Sequence, residues 1–242
     1  MSTRSYDYSP AHRAAEVCGI VVLAGLVGLL FAAMTTGLQG APAETALGVV
    51  VGGAFVAYLA ADLASGLVHF LADNFGHEGM PYLGPAFIRP FRHHHVDPKA
   101  MTLHDFVETN GNNSLICVPA AGLAYLSLPA QLTVPAAAWA SFVAWLMIWV
   151  FMTNQFHKWS HLDRPAAWVR ALQRTRLILS PEHHDVHHRP PFDTYYCITS
   201  GWLNPIFRQV GFFPRLEAAI RWVTRSPKGA ADAAPPEQVP SS

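Results

Sequence analysis

Residues 136–164, AAAWASFVAWLMIWVFMTNQFHKWSHLDR, decide the fold. From Ala136 to Phe156 there is no charged side chain, which is the roughly 20-residue length that carries a helix across a hydrocarbon core of about 30 Å. One more helical turn presents His157 and His161, four apart and so on one face. A hydrophobic rod therefore ends in a pair of imidazoles at a membrane surface. Three other stretches have similar length: 17–38, 45–72 and 115–134. The last is interrupted by Pro119 and Pro129, and 45–72 is apolar only up to Ala61, after which it carries Asp62 and His69. The first stretch follows Arg4 and Arg13 and precedes Ala41-Pro42-Ala43, like a secretory leader. Its apolar run exceeds the about 7–15 residues of such a leader, so it reads as a span.

Composition agrees. Of 242 residues, 51% are hydrophobic and 13% charged, against roughly 25% charged in soluble domains. That excludes an ordinary soluble enzyme, a disordered chain and a nucleic-acid binder. Sixteen Lys and Arg balance sixteen Asp and Glu, so placement carries the information. Two basic residues precede the first span, three lie in 73–114, eleven follow the fourth span, and the two short turns have none. Basic loops stay in the cytoplasm, which puts both termini and the middle loop on that side. The expected fold is an all-α integral membrane protein, four transmembrane helices with a cytoplasmic histidine-rich helical cap. Its parts are an N-terminal arm at 1–16, a membrane domain at 17–225 and a disordered tail at 226–242. Residues 214–225 suit an interfacial helix with Leu216, Ile220 and Val223 on one face and arginines around the other.

Thirteen histidines are the anomaly. Twelve gather on the cytoplasmic side of spans two to four, with His12 apart in the N-terminal arm: His69 at the end of span two, His77, His93, His94, His95 and His104 in the middle loop, His157 and His161 after span four, and His183, His184, His187 and His188 beyond. His12 and His77 read as ordinary loop residues. Asp62, Gly66, His69 and Asp73 form a helical stripe, so span two turns polar where it leaves the lipid. Asp62 suits either a packed polar network or a functional carboxylate. Asp97 and Asp105 serve turns or histidine tautomers as readily as metal. Three distant cysteines form no disulfide framework and no CxxC site.

The coincidence of HxxxD, HH, HxxxH and HHxxHH on one membrane face points to metal. Imidazole suits zinc, copper, iron and nickel, and these are more imidazoles than one ion can take, enough for two. The HExxH helix of zinc proteases is absent, and no Glu has a His three residues later, as soluble di-iron bundles require. A histidine-dominated di-iron pair remains. Such a pair, at the lipid–water boundary, suits oxidation of a lipid tail with O₂ and electrons from the cytoplasm.

The long motifs are similar to those of the plasmanylethanolamine desaturase family, which includes proteins with the Kua-type domain and a bacterial light-response homologue of carotenoid regulation. They are Asp62-x-x-Ser65-Gly66-x-x-His69-x-x-x-Asp73-x-x-Gly76, Ile88-Arg89-Pro90-Phe91-Arg92, His94-His95-Val96-Asp97-Pro98, Thr102-x-His104-Asp105-Phe106-x-Glu108-x-Asn110-Gly111, Thr153-Asn154-Gln155-x-His157-Lys158-Trp159-Ser160-His161, His183-His184-x-x-His187-His188 and Thr194-Tyr195-x-Cys197-Ile198-Thr199-x-Gly201-Trp202-Leu203-Asn204. The resemblance implies a membrane enzyme with two Fe ions (Fe2+/Fe3+) and O₂ as co-substrate. It would convert the 1-O-alkyl chain of an ether phospholipid to the vinyl ether of a plasmalogen, fed by a cytoplasmic donor such as ferredoxin or a cytochrome b5-like protein. The metal residues it implies are His69, Asp73, His94, His95, His104, His157, His161, His183, His184, His187 and His188; His93 departs from the pattern. Spacing alone leaves open an acyl-chain desaturase, a hydroxylase of the same iron type, or a non-enzymatic haem or metal-binding membrane protein.

Overall fold

In a computed structural model describing residues 9–81 and 83–225, every regular element is a helix. Two long hairpins make the body. The first joins α1 (Pro10–Gly37) to α2 (Ala43–Asn74). Residues of the middle loop follow, with a π-helical turn at Gly84–Ile88, α3 (Arg89–Val96) and a 3₁₀ turn at Ala100–Leu103. The second hairpin joins α4 (Phe106–Leu126) to α5 (Val134–Ser160). Four short helices close the chain: α6 (Ala167–Arg174), α7 (Pro181–Asp185), α8 (Asn204–Gln209) and α9 (Phe212–Thr224). The expected tail at 226–242 lies outside the described residues.

Capping signals start two of the helices, α1 and α4, ahead of their apolar runs. Ser9 caps α1 by accepting from the His12 backbone N–H at 3.1 Å, with Pro10 at the first position. His12 is thus helical rather than a loop residue, and its Nε2 lies 3.2 Å from Glu16. For α4, Asp105 and Glu108 form a reciprocal capping box. The helix consequently runs over 106–126 where the apolar pattern suggests 115–134, and Pro129 falls in the turn beyond it. Asp97, likewise, holds a turn by accepting from the N–H groups of Lys99 and Ala100, each at 3.2 Å.

Among the described residues α1, α2 and α5 are long and apolar enough to cross a membrane. The first half of α4 is more polar, because it faces protein: Asn110 donates to Gln155 at 3.1 Å, Asn113 to the Val150 carbonyl at 3.0 Å, and Asn154 to Asn113 at 3.1 Å. α5 is the hub, packed against α1, α2 and α4. Contacts there are small-residue contacts, with Ala121, Ala137, Ala140 and Ala144 buried around Leu30. A Cβ on Gly53 would stand 2.5 Å from Ser141 Oγ, so α2 and α5 approach backbone to backbone. This is how apolar helices associate where lipid offers no hydrophobic drive. Large apolar side chains such as Val21, Phe55, Leu123 and Trp139 point outward.

The hairpins lie side by side in the same sense. A Cβ on Gly37 would meet the Thr133 carbonyl at 2.8 Å, placing both tight turns at one end. At the other end Arg13 donates to Asp105 at 2.8 Å. The histidine-bearing ends of α2 and α5 share that second end with the cap.

Asp62 ties cap to bundle. It is fully buried, and its Oδ1 accepts from the N–H groups of Ser200 and Gly201 at 2.8 and 2.9 Å, its Oδ2 from Leu203 at 3.1 Å. One turn on, Ser65 Oγ accepts from Ile198 N–H at 3.0 Å. A Cβ on Gly66 would strike Cys197 Sγ at 2.5 Å, so only glycine lets segment 195–204 lie flush on α2. α9 packs Leu216 and Ile220 against Phe70 and Phe213, but Val223 is 71% exposed beside Trp222 and does not join that face.

Replacing Asp62 by Ala strands three buried N–H groups, each unpaired donor costing about 1–3 kcal/mol. We expect Asp62→Ala to lower stability in detergent by on the order of 3–5 kcal/mol and to open 195–204 to limited proteolysis; an unchanged digestion pattern would contradict the anchoring role.

Candidate metal centre

Imidazoles from five elements converge beyond the ends of α2 and α5. His69 and Asp73 come from the last turns of α2, His94 and His95 from α3, His157 from α5 with His161 capping it, His184 from α7, and His187 and His188 from the turn that follows. Their ring nitrogens form two groups, each within a 4.8 Å span. One joins His94, His157, His161, His184 and His188; the other joins His69, His94, His95 and His187. His94 belongs to both, so the groups are neighbours.

Backbone carbonyls fix the ring orientations in the second group. His69 Nδ1 lies 3.1 Å from the Tyr196 carbonyl, His187 Nδ1 lies 2.7 Å from that of Thr194, and His94 Nδ1 bonds to that of Phe91. A carbonyl only accepts, so each Nδ1 carries the proton and each Nε2 keeps its lone pair. Those three Nε2 atoms are buried and have no hydrogen-bond partner. Asp73 Oδ2 stands beside them, 3.3 Å from His69 Nε2, 3.2 Å from His95 Nε2 and 3.5 Å from His187 Nε2.

In the first group four Nε2 atoms face one another. His184 Nε2 is 2.8 Å from that of His157, 3.1 Å from His161 and 3.0 Å from His188, and His157 and His161 are 3.2 Å apart. Lone pairs crowded onto one point repel unless a cation takes that point. Metal–imidazole bonds of about 2.0–2.1 Å put adjacent ligand nitrogens roughly 3 Å apart, and these distances match.

Four of the rings are held in the ligand-competent neutral form. Burial pushes the His161 imidazole down to about 4, with the Lys99 charge adding to the effect, and the His188 imidazole down to about 3, with His161 next in effect. His94 and His184 lie well below 6.5, again chiefly through burial and then through His157. Aromatic walls exclude water: Phe91 sits 5.1 Å from the His69 ring, Phe192 4.8 Å from His95 and Tyr196 5.0 Å from His187, between centroids.

Asp73 flanks the second group, and two expected histidines lie outside both groups. His183 turns away from His184; its Nε2 is 3.2 Å from Asn204 Nδ2, and its ring lies tilted against Tyr195 at 4.8 Å between centroids. Asn204 in turn accepts from Cys197 N–H and donates to the Cys197 carbonyl, each at 2.9 Å. His183 therefore braces the segment whose carbonyls orient His69 and His187. His104 ends the 3₁₀ turn, and its carbonyl receives the Lys158 ammonium. His12, His77 and His93 also stay outside. What sequence reasoning missed are the carbonyls of Phe91, Thr194 and Tyr196, since a backbone oxygen leaves no residue-type signal.

Residues 58–229 match the lipid desaturase domain. The chain is 48% identical over 221 residues to plasmanylethanolamine desaturase of Myxococcus xanthus, covering 90% of this chain and 75% of that protein. It is 43% identical over 225 residues to plasmanylethanolamine desaturase 1 of Mus musculus, covering 90% and 80%. To the chloroplastic fatty acid desaturase 4-like 1 of Arabidopsis thaliana it is 31% identical over 168 residues, covering 69% and 55%. No solved structure matches it. With the matched domain spanning the anchoring stripe of α2, both histidine groups and the segment that orients them, the chain belongs to the lipid desaturase family.

Proposed function

We propose that this protein is a membrane di-iron desaturase that converts the 1-O-alkyl chain of plasmanylethanolamine to the vinyl ether of a plasmalogen. The observation that carries the reading is the pair of adjacent imidazole groups sharing His94, with inward Nε2 atoms that nothing else satisfies. The relatives named plasmanylethanolamine desaturase, aligned over 90% of the chain, supply the substrate class. In balance, one –O–CH₂–CH₂– unit, O₂, two electrons and two protons give –O–CH=CH– and two waters.

His157, His161, His184 and His188 would hold one iron, and His69, His95, His187 and Asp73 the other, with His94 available to either. Two irons there supply stepwise electron transfer and activation of O₂ against an unactivated C–H bond. The chain's own part is positional. Carbonyls at 91, 194 and 196 fix three rings, a second layer that orients ligands. The Asp73 carboxylate offsets cationic charge in a dry site. Phe91, Phe192 and Tyr196 keep water from the reacting carbons. His183 and His104 act from outside, His183 through Asn204. A haem reading fits poorly, since ring nitrogens 2.8–3.2 Å apart leave no room for a porphyrin between them.

The four long helices form two membrane hairpins, with α4 as the fourth span. The end bearing the metal centre collects every basic residue from 89 to 225 and Arg13, whereas the turns 38–42 and 127–133 carry none. By the positive-inside rule that end faces the cytoplasm, where a ferredoxin or cytochrome b5-like donor has access.

Expressed in a host supplied with alkyl-ether lipid, the protein is expected to yield a lipid lighter by two hydrogens and cleavable by acid, read by mass spectrometry. A double bond appearing only in acyl chains would favour the fatty-acyl alternative. His161→Ala and His187→Ala should each lower vinyl-ether formation at least a hundredfold and cut bound iron from about two per chain, while membrane insertion persists; full activity in either would refute the ligand assignment. A cysteine introduced at His93 should react with an impermeant maleimide only from the cytoplasmic side, and labelling from the opposite side would reverse the topology.

A further inference from the structure

Beside the metal centre, on the other side of α7, lies a cavity of about 300 Å³ lined by Arg176, Ser180, His183, Ser200 and Trp202. That is the lower end of volumes that hold small ligands. Its depth is fixed by its neighbours. Counting about 20 residues of apolar helix from the 38–42 turn brings α2 to Asp62, its first charged residue after Glu44. The cavity hangs at this level: Tyr58 donates to the Leu177 carbonyl at 2.6 Å, Ser200 bonds to Asp62, and the Trp202 ring meets Tyr58 at 5.5 Å and Phe55 at 6.5 Å. Trp and Tyr favour this boundary. Below it Phe55, Leu177 and Ile206 expose apolar side chains to lipid.

Asp62, the acidic group at this level, is spent on the N–H groups of Ser200, Gly201 and Leu203, and the segment that carries the cavity's arginine is one-sided in charge. Arg164, Arg170, Arg174 and Arg176 occur between 164 and 181 with no acidic residue among them. Arg176 adopts φ 57°, a left-handed conformation uncommon for a non-glycine residue, and it follows α6 directly. Its carbonyl is taken by the Trp202 indole N–H at 2.6 Å, which pins the backbone at the cavity mouth. Arg176, Ser180 and Ser200 around one space bring a guanidinium and two hydroxyls, a donor set suited to phosphate oxygens. Gly201, at φ 79°, keeps the wall open, because a Cβ there would strike the His183 ring at 2.5 Å.

We propose that this cavity binds the phosphate of a phospholipid headgroup and thereby presents the adjoining chain to the metal centre. The lipid's role as substrate rests on the desaturase reading; the preference for phosphate does not. Only the glycerol backbone separates phosphate from the ether carbon, and His183 in the cavity wall precedes His184 of the metal group. An anchored phosphate would therefore select carbons close to the headgroup rather than mid-chain.

The test uses the full chain in detergent without electron donor, so that no turnover occurs. Equilibrium binding is measured for 1-O-alkyl-2-acyl phosphatidylethanolamine, for the same alkyl-acylglycerol lacking phosphate, and for inorganic phosphate. Arg176→Gln should weaken phospholipid binding about tenfold and Arg176→Lys recover most of it, with Arg215→Gln on α9 as the unaffected control. The phosphate-free lipid should bind at least tenfold more weakly and ignore Arg176. Equal binding of the two lipids, or of wild type and Arg176→Gln, overturns the proposal, as does an Arg176 dependence seen with inorganic phosphate alone. In turnover, Arg176→Gln should raise KM about tenfold with kcat within twofold. Arg176-dependent phospholipid binding in a protein that makes no vinyl ether would leave this site standing and remove the desaturase reading.

Discussion

Imidazoles sealed together with their ring nitrogens inward are the constraint on which the cap end of this protein depends. A buried polar atom without a partner costs free energy, and here His69, His94 and His187 each bury such an Nε2. The His157–His161–His184–His188 set adds mutual repulsion at 2.8–3.2 Å. Cations at these two points would convert those costs into bonds. Metal binding would then reinforce the meeting of α3, α7 and the ends of α2 and α5, which Arg92 also ties through the Ala72 and Phe75 carbonyls.

The membrane body makes that economical. α5 contacts the other three long helices through alanines and glycines, so its histidine-bearing end is placed rigidly, and His157 and His161 inherit that rigidity. α2 does two jobs with one stripe. Asp62, Ser65 and Gly66 hold segment 195–204, and that segment returns the Tyr196 carbonyl to His69, one turn further along the same helix. The helix thus builds the support for its own ligand. Asp62 and Asp73 sit on the same face, yet one saturates backbone N–H groups and the other faces ring nitrogens.

The sequence carried the features that depend on side-chain type and period. Uncharged runs, the one-sided histidines, the HxxxH pair and the polar stripe of α2 all translate into position because a helix repeats every 3.6 residues. Legibility fails where backbone decides. The capping box of Asp105 and Glu108 starts α4 within a polar stretch, so the apolar run misplaces it. His183 and His184 are neighbours in an HH doublet, and nothing in the doublet says that one ring faces the metal groups and the other Asn204. Period alone also overcounts: Val223 is in phase with Ile220, but the surface beneath α9 ends before reaching it.

That split of the His183-His184 doublet bears on how the two halves of a lipid could be read at once. Successive residues in a short helix point about 100° apart, so one turn of α7 separates a water-poor site suited to oxidation from a cavity suited to phosphate. Ser180 caps that turn through the His183 N–H at 3.3 Å, and Gly201 and Asn204 press on His183 from the far side. A shift of His183 would therefore disturb both the cavity wall and, through Asn204 and Cys197, the carbonyls that aim His69 and His187. Recognition of the headgroup and orientation of the ligands would share one mechanical support, which gives a histidine outside the metal groups a reason to be indispensable.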